Sequence, residues 1–210
     1  MNPTRAKAWP RIFWGSVLSQ RSRTEDVLCP HTDSRDQESS RAAGILSLSH
    51  GDAMTVQILR ATARDVRDIL PVWGELAGFH ARLDPAFRPS AHWPREYATY
   101  LRTLMARDDA LAVIAKDGPE IIGYAIGRIT ALPSFFEHRF RGYIHDVYVR
   151  EAHRRRGVGR RLVEEIFDWL RSRGVTIVEL TVAANNDATG FWERLGFQTY
   201  MYQMKADVDE

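Results

Sequence analysis

The chain has 210 residues, a formal net charge of +2 and a hydrophobic fraction of 44%. That suggests one domain with a sizeable core and some spare length, and so weak a charge excess gives no global reason to expect nucleic acid or an anionic membrane as partner. No apolar run approaches the ~18 residues of a membrane span. The single cysteine, Cys29, argues against a disulfide framework, a cysteine zinc site or a cysteine nucleophile, and a reducing cytoplasm fits.

Residues 1–53 show neither helical nor strand period, and Pro3, Pro10 and Pro30 interrupt them. The stretch 33–40 is polar and reads as disordered. Five basic residues and no acidic one precede Glu25, a pattern also met in targeting peptides. The reading adopted is a dispensable extension, with a domain over 54–210. Its first strand is Thr55–Arg60.

Thr62 is a suitable N-cap with Asp65 three residues on, so a helix is expected from about Ala63 to Arg82, kinked or broken at Leu70 by Pro71. A loop from Asp84 to Pro89 leads to a second helix over Trp93–Arg107, with Trp93, Tyr97, Tyr100, Leu101 and Leu104 along one side. Strands follow at Leu111–Ala115 and Ile121–Ile129, joined by an Asp117-Gly118 hairpin signal. The loop Thr130–Gly142 carries Phe135, Phe136 and Phe140, either a substrate rim or packing residues. After it come a strand over Tyr143–Val149, a helix over Val158–Arg173 closed by Gly174, a strand over Thr176–Val182, a short helix after Asp187 ending at Gly196, and a last strand over Phe197–Met204.

The most informative stretch is Tyr143–Val149 followed by Arg154-Arg155-Arg156-Gly157-Val158-Gly159-Arg160. A strand runs into a basic turn with two glycines at the mouth of an amphipathic helix. Unpaired N–H groups and the positive dipole end favour an anion there, and a glycine lets a phosphate approach the backbone. The reading is a diphosphate cradle. A nucleic-acid patch is disfavoured, because Glu164, Glu165 and Asp168 follow at once. No metal site is evident.

This order resembles the Gcn5-related N-acetyltransferase (GNAT) family. The signature of Gln or Arg, two residues, Gly, one residue, then Gly or Ala is met by Arg154 to Gly159. Asn185, Ala188, Phe191-Trp192 and Leu195-Gly196-Phe197 sit where the family carries Asn, Ala, Phe-Tyr and Leu-Gly-Phe. The likeness spans about Met54 to Lys205. It implies an α/β fold with a mixed, mostly antiparallel sheet of six to seven strands and about four helices, in which the two parallel strands flanking the cradle helix splay apart to admit acetyl-CoA. It also implies that Val147 and Val149 pair with the pantetheine arm, that the amides around Arg155–Arg160 hold the diphosphate, and that Asn185 bonds the pantetheine.

The implied reaction is direct acetyl transfer from sulfur to a primary amine in a ternary complex. The acceptor would be a small molecule or a peptide or protein amine. The position at which many members carry a catalytic glutamate holds His145, the first candidate base, with Asp146 the second. Trp192 replaces the tyrosine that serves many members as acid. Indole N–H donates a hydrogen bond but is no acid at neutral pH, which leaves Tyr148, Tyr143 or water to protonate the thiolate and allows Trp192 to pack beside the thioester. A non-catalytic acyl-CoA-binding module is the alternative, and a homodimer is possible by the same resemblance.

Overall fold

The computed structural model describes residues 56–206 and residue 208. The expected extension over 1–53, and the start of the first strand at Thr55, lie outside the described residues.

Five strands form one sheet in the order β1-β2-β3-β4-β5. They are β1 (Gln57–Arg60), β2 (Ala110–Asp117), β3 (Glu120–Ala131), β4 (Phe140–Val149) and β5 (Val178–Glu179). The first four run antiparallel, and β5 is parallel to β4. The α-helices are α1 (Val66–Leu83), α2 (Trp93–Met105), α3 (Val158–Ser172) and α4 (Thr189–Glu193). The α/β class, the mixed sheet and the four helices agree with expectation. The strand count does not, since five strands are present among the described residues rather than six or seven.

Both faces of the sheet are covered, which explains why β2 and β3 are near-continuous apolar runs. One face packs Ala112, Ile114, Tyr124 and Ile126 against Val66, Ile69, Val72 and Leu76 of α1 and Leu101 and Leu104 of α2. The other packs Val113, Ala125 and Ile144 against Leu162, Val163, Ile166 and Leu170 of α3. Gly127 and Gly142 let α3 lie close. A Cβ on Gly127 would stand 2.6 Å from Ile166 Cγ2, and one on Gly142 2.4 Å from Leu170 Cδ1.

Several boundaries differ from the sequence reading. Helix α1 begins at Val66 rather than Ala63, because the Asp65 carboxylate turns back onto the Thr62 N–H at 2.9 Å and its hydroxyl at 2.8 Å. The helix passes through Pro71 without a break. Pro71 is exposed and so is Arg67, whose carbonyl it leaves without a helical donor, so water can serve that carbonyl. Strand β4 starts at Phe140, shortening the expected loop, and Phe140 packs on the core while Phe135 and Phe136 stay exposed. Strand β5 keeps only two residues, and Phe197–Met204 forms no strand. Phe197 alone of that run joins the core, whereas Tyr200, Met201, Tyr202 and Met204 are all more than half exposed. With so few apolar side chains facing inward, the segment has no buried face to fix its register.

Candidate active site

Strand β4 organises the site. It pairs with β5 only at Gly142 and Tyr143, where the Gly142 N–H also donates to the Ile177 carbonyl at 2.8 Å. From Ile144 to Val149 no strand among the described residues lies on that side. The family resemblance implies a parallel pair that splays apart here; the two-residue ladder is flanked by the Arg141–Glu179 ion pair and by the 2.8 Å contact of the Tyr143 hydroxyl with Thr181 Oγ1. Val147 and Val149 lie along the open edge with side chains toward the α3 core.

The pairing of β3 with β4 is regular except at one point. Ile126 lies opposite Asp146, and Gly127 lies opposite Ile144, so His145 is an extra residue in β4. Such a bulge re-aims side chains. It brings His145 and Asp146 to the same face, the one roofed by α1 and α2. The His145 ring meets the Tyr143 ring at 4.9 Å. Asp146 Oδ2 accepts from the Tyr97 hydroxyl of α2 at 2.7 Å and from the Tyr124 hydroxyl of β3 at 3.1 Å. Tyr97 in turn stacks on Trp73 at 4.1 Å, and Trp73 meets Trp93 at 4.7 Å. Gly74 allows this approach, because a Cβ there would stand 3.2 Å from the Trp93 ring.

Burial acts oppositely on the two candidate bases, since it disfavours whichever form is charged. It pushes the Asp146 carboxyl above the usual carboxylate range, although the two phenols and the nearby His80 pull the other way. It pushes His145 down to about 4, helped by the Arg128 guanidinium. His145 Nε2 is buried and finds no partner. At neutral pH His145 is therefore a neutral, weakly basic imidazole, whereas Asp146 is drawn toward neutrality.

Tyr148, on the same face, sends its hydroxyl toward Glu75 at 3.4 Å. Its ring carries the Arg154 guanidinium at 5.2 Å. Burial raises its phenol, so Tyr148 holds its proton at neutral pH.

Beyond β4, a short 3₁₀ turn over Glu151–His153 leads into a loop where Arg155 and Gly157 adopt left-handed backbone, with φ of 58° and 79°. The Arg161 N–H returns to the Gly157 carbonyl at 3.1 Å. None of the six preceding amides, Arg155 through Arg160, donates to a described acceptor. A run of unpaired N–H groups at the mouth of a helix has the chemistry to accept an anion. The arginines divide their labour. Arg154 Nε bonds the Val149 carbonyl at 2.9 Å, Arg160 pairs with Glu164 at 2.8 Å, and Arg161 bonds the Val56 carbonyl at 3.0 Å. Arg155 and Arg156 are exposed, with no partner among the described residues. Val158 is buried in the core, and a Cβ on Gly159 would stand 3.5 Å from the Phe191 ring.

Asn185 is exposed and donates a long 3.4 Å bond to the Leu83 carbonyl at the end of α1. Its neighbour Asn186, rather than Asp187, accepts from the Ala188 N–H at 2.9 Å and so enters α4. Trp192 packs edge-on against Phe191 at 4.9 Å and Phe197 at 5.4 Å, an aromatic wedge between α4 and the α3 side of the core. No group of His, Cys, Asp and Glu suited to a metal occurs among the described residues, and none of their helices is long and apolar enough to cross a membrane.

Sequence reasoning left Tyr124, Arg128, His80 and Glu75 without a role and saw Tyr97 only as part of an apolar stripe. A signal was present. Tyr124 and Arg128 put a hydroxyl and a charge in the middle of a largely apolar strand, and polar groups are rarely placed there without partners.

Residues 76–197 match the acetyltransferase (GNAT) family. The chain belongs to that family. An uncharacterized N-acetyltransferase of Methanocaldococcus jannaschii is 28% identical over 145 residues, covering 69% of this chain and 61% of the relative. An L-methionine sulfoximine/L-methionine sulfone acetyltransferase of Pseudomonas paraeruginosa is 28% identical over 158 residues, covering 69% of this chain and 81% of that protein. The crystal structure of a predicted acetyltransferase with acetyl-CoA from Clostridium acetobutylicum superposes with a TM-score of 0.61 at 15% identity, covering 73% of this chain and 97% of that one. Family membership assigns the chain to the acetyltransferases, whose donor is acetyl-CoA.

Proposed function

We propose that this protein is an acetyl-CoA-dependent N-acetyltransferase that acetylates a primary amine by direct transfer in a ternary complex, through a domain over residues 54–210. The observation that carries the reading is one continuous feature, the unpaired edge of β4 from Ile144 to Val149 leading into the unpaired amides of Arg155–Arg160. An extended amide-bearing arm fits the first as an added strand, with Val147 and Val149 as its partners. A diphosphate fits the second, with Arg155 and Arg156 adding charge. Arg154 serves instead as a brace on the Val149 carbonyl, and Asn185 closes the far side of the gap.

The acceptor amine enters beneath α1 and α2, where Asp146 takes its proton directly or through a water. A base is most effective with its pKa near the working pH. Burial brings Asp146 closer to that condition and moves His145 away from it. A backbone N–H of β4, at Val147 or a neighbour, stabilises the oxyanion. The protonated Tyr148 phenol supplies the acid, and because a thiol titrates near 8.5 the departing thiolate makes only a modest demand on it. Trp192 contributes shape rather than a proton.

Two measurements test this. Acetyl-CoA at about 100 times its dissociation constant stabilises a one-site protein by ~2.7 kcal/mol, a rise of roughly 5–11 °C in Tm, and NADPH and ATP should give no comparable rise. Initial velocities against both substrates should intersect rather than run parallel. Binding without turnover against any amine would instead identify an acyl-CoA-sensing module.

A further inference from the structure

On the same face of the sheet as Asp146, two positions farther along β3, lies a cation that the proposed chemistry does not use. Arg128 of β3 sits opposite Tyr143 of β4, two positions along the strand from Ile126, the partner of Asp146. At ~3.3 Å per residue the two positions are about 7 Å apart along the strand. Arg128 Nε is buried and finds no partner, and none of the guanidinium nitrogens donates to a described acceptor. The neighbouring carboxylate is already engaged, because Asp109 takes Arg107 in a two-pronged pair at 2.6 and 2.5 Å. The adjacent His145 Nε2 is likewise buried without a partner. Tyr100 of α2 roofs this end. Burial raises its phenol, Asp146 raises it further, and Arg128 and Arg107 act the other way, which places it within electrostatic reach of both poles.

A half-buried guanidinium whose nearby carboxylate, Asp109, is bonded to another arginine is costly to keep. Its planar fork matches a carboxylate. This face of the sheet therefore carries a carboxylate at one position and a guanidinium fork with no hydrogen-bonded partner among the described residues at the other. We infer that the acceptor is a small amine bearing its own carboxylate, an amino acid or a close analogue, with the carboxylate held by Arg128 and the amine turned toward Asp146. Polycationic acceptors are disfavoured by the same charge. The inference rests on the acetyl-transfer reading above.

The test uses the full chain with acetyl-CoA and two matched acceptor sets, free L-amino acids and their C-terminal carboxamides. The wild-type protein should acetylate a subset of the free acids with kcat/KM roughly tenfold to a hundredfold above that for the matching amides, the range of a charge-assisted pair. Arg128→Gln should abolish that preference, mainly by raising KM for the acids, while leaving KM for the amides and the acetyl-CoA-induced rise in Tm unchanged. Arg128→Lys, which keeps the charge and loses the fork, should fall between. Equal or better turnover of amides by the wild type overturns the inference and leaves acetyl transfer standing. A preference for phosphorylated amines over carboxylated ones overturns the carboxylate assignment. Absence of any acetyl-CoA effect overturns the underlying reading instead. The wild-type comparison decides the matter even if a substitution at 128 impairs folding.

Discussion

His145 separates Asp146 from the regular ladder of β4. Asp146 lies opposite Ile126 and Ile144 lies opposite Gly127, so the histidine between them has no partner on β3. Without that extra residue, neighbours in a strand would point to opposite faces. With it, an imidazole and a carboxylate share one surface and respond to the same burial in opposite directions.

Asp146→Asn should therefore lower kcat/KM by about 10² to 10⁴, the usual worth of a positioned acid–base group. It should not lower the melting temperature at neutral pH. Burial raises this carboxyl in the fold, so ionising it costs stability as pH rises from the ordinary carboxylate range through its folded value. The neutral amide avoids that cost. Steady-state kinetics and thermal unfolding on one preparation check both halves.

The histidine has the opposite sign. Its folded pKa of about 4 lies below the ordinary 6.5, so the unfolded chain takes up the proton first as pH falls. Stability from this group is complete above pH 6.5 and is lost on the way down to pH 4, by about 3 kcal/mol in all. Denaturant unfolding across that range should show the loss, and His145→Gln should flatten that part of the curve.

Gly157 and Gly174 bracket α3 in the same left-handed backbone, at φ of 79° and 70°, with open space where a Cβ would go. Alanine at either position should cost about 1–2 kcal/mol from strain alone. The two should differ in acetyl-CoA affinity. Calorimetric titration should show weaker binding for Gly157→Ala and unchanged binding for Gly174→Ala, which makes the latter a control for stability.

Gly142→Ala should destabilise for a different reason. Its Cβ would fall 2.4 Å from Leu170 Cδ1 and 2.9 Å from Cδ2. Overpacking a core contact of this kind typically costs 1–3 kcal/mol, and the lower denaturation midpoint should be partly recovered by Leu170→Val in the same chain.

Removing residues 1–53 should leave both the unfolding transition and the acetyl-CoA response in place. Loss of either would assign that segment to the domain.

The parts of this molecule that follow local rules were legible in the sequence. The apolar runs of β2 and β3, the Asp117-Gly118 turn, and the amphipathic face and left-handed stop of α3 each depend on residues close together in the chain. So does the turn before α3, whose Arg-Arg-Gly-Val-Gly run sets its own backbone. The aromatic roof was half legible, since Trp93, Tyr97 and Tyr100 fall on one helical stripe but nothing nearby tells that Tyr97 reaches a carboxylate 49 positions away. The bulge was not legible. It depends on register against β3, a non-local property. Pro71 misled because the cost of a proline depends on whether water reaches the freed carbonyl, and sequence does not report that. The run Phe197–Met204 has strand composition and lacks the inward-facing partners that would turn composition into a strand.

The gap between β4 and β5 has a further consequence. Between Ile144 and Val149, alternate residues of β4 turn backbone groups toward an edge that no strand meets among the described residues, with the Val149 carbonyl already taken by Arg154 Nε. An uncovered sheet edge is a template for any extended chain that reaches it. Protein solutions lacking the cofactor should therefore aggregate sooner on storage or mild heating than those containing it, and for a reason separate from global unfolding. On the proposed binding mode, acetyl-CoA would act as a molecular plug as well as a donor, and colloidal shelf life would become a readout of site occupancy.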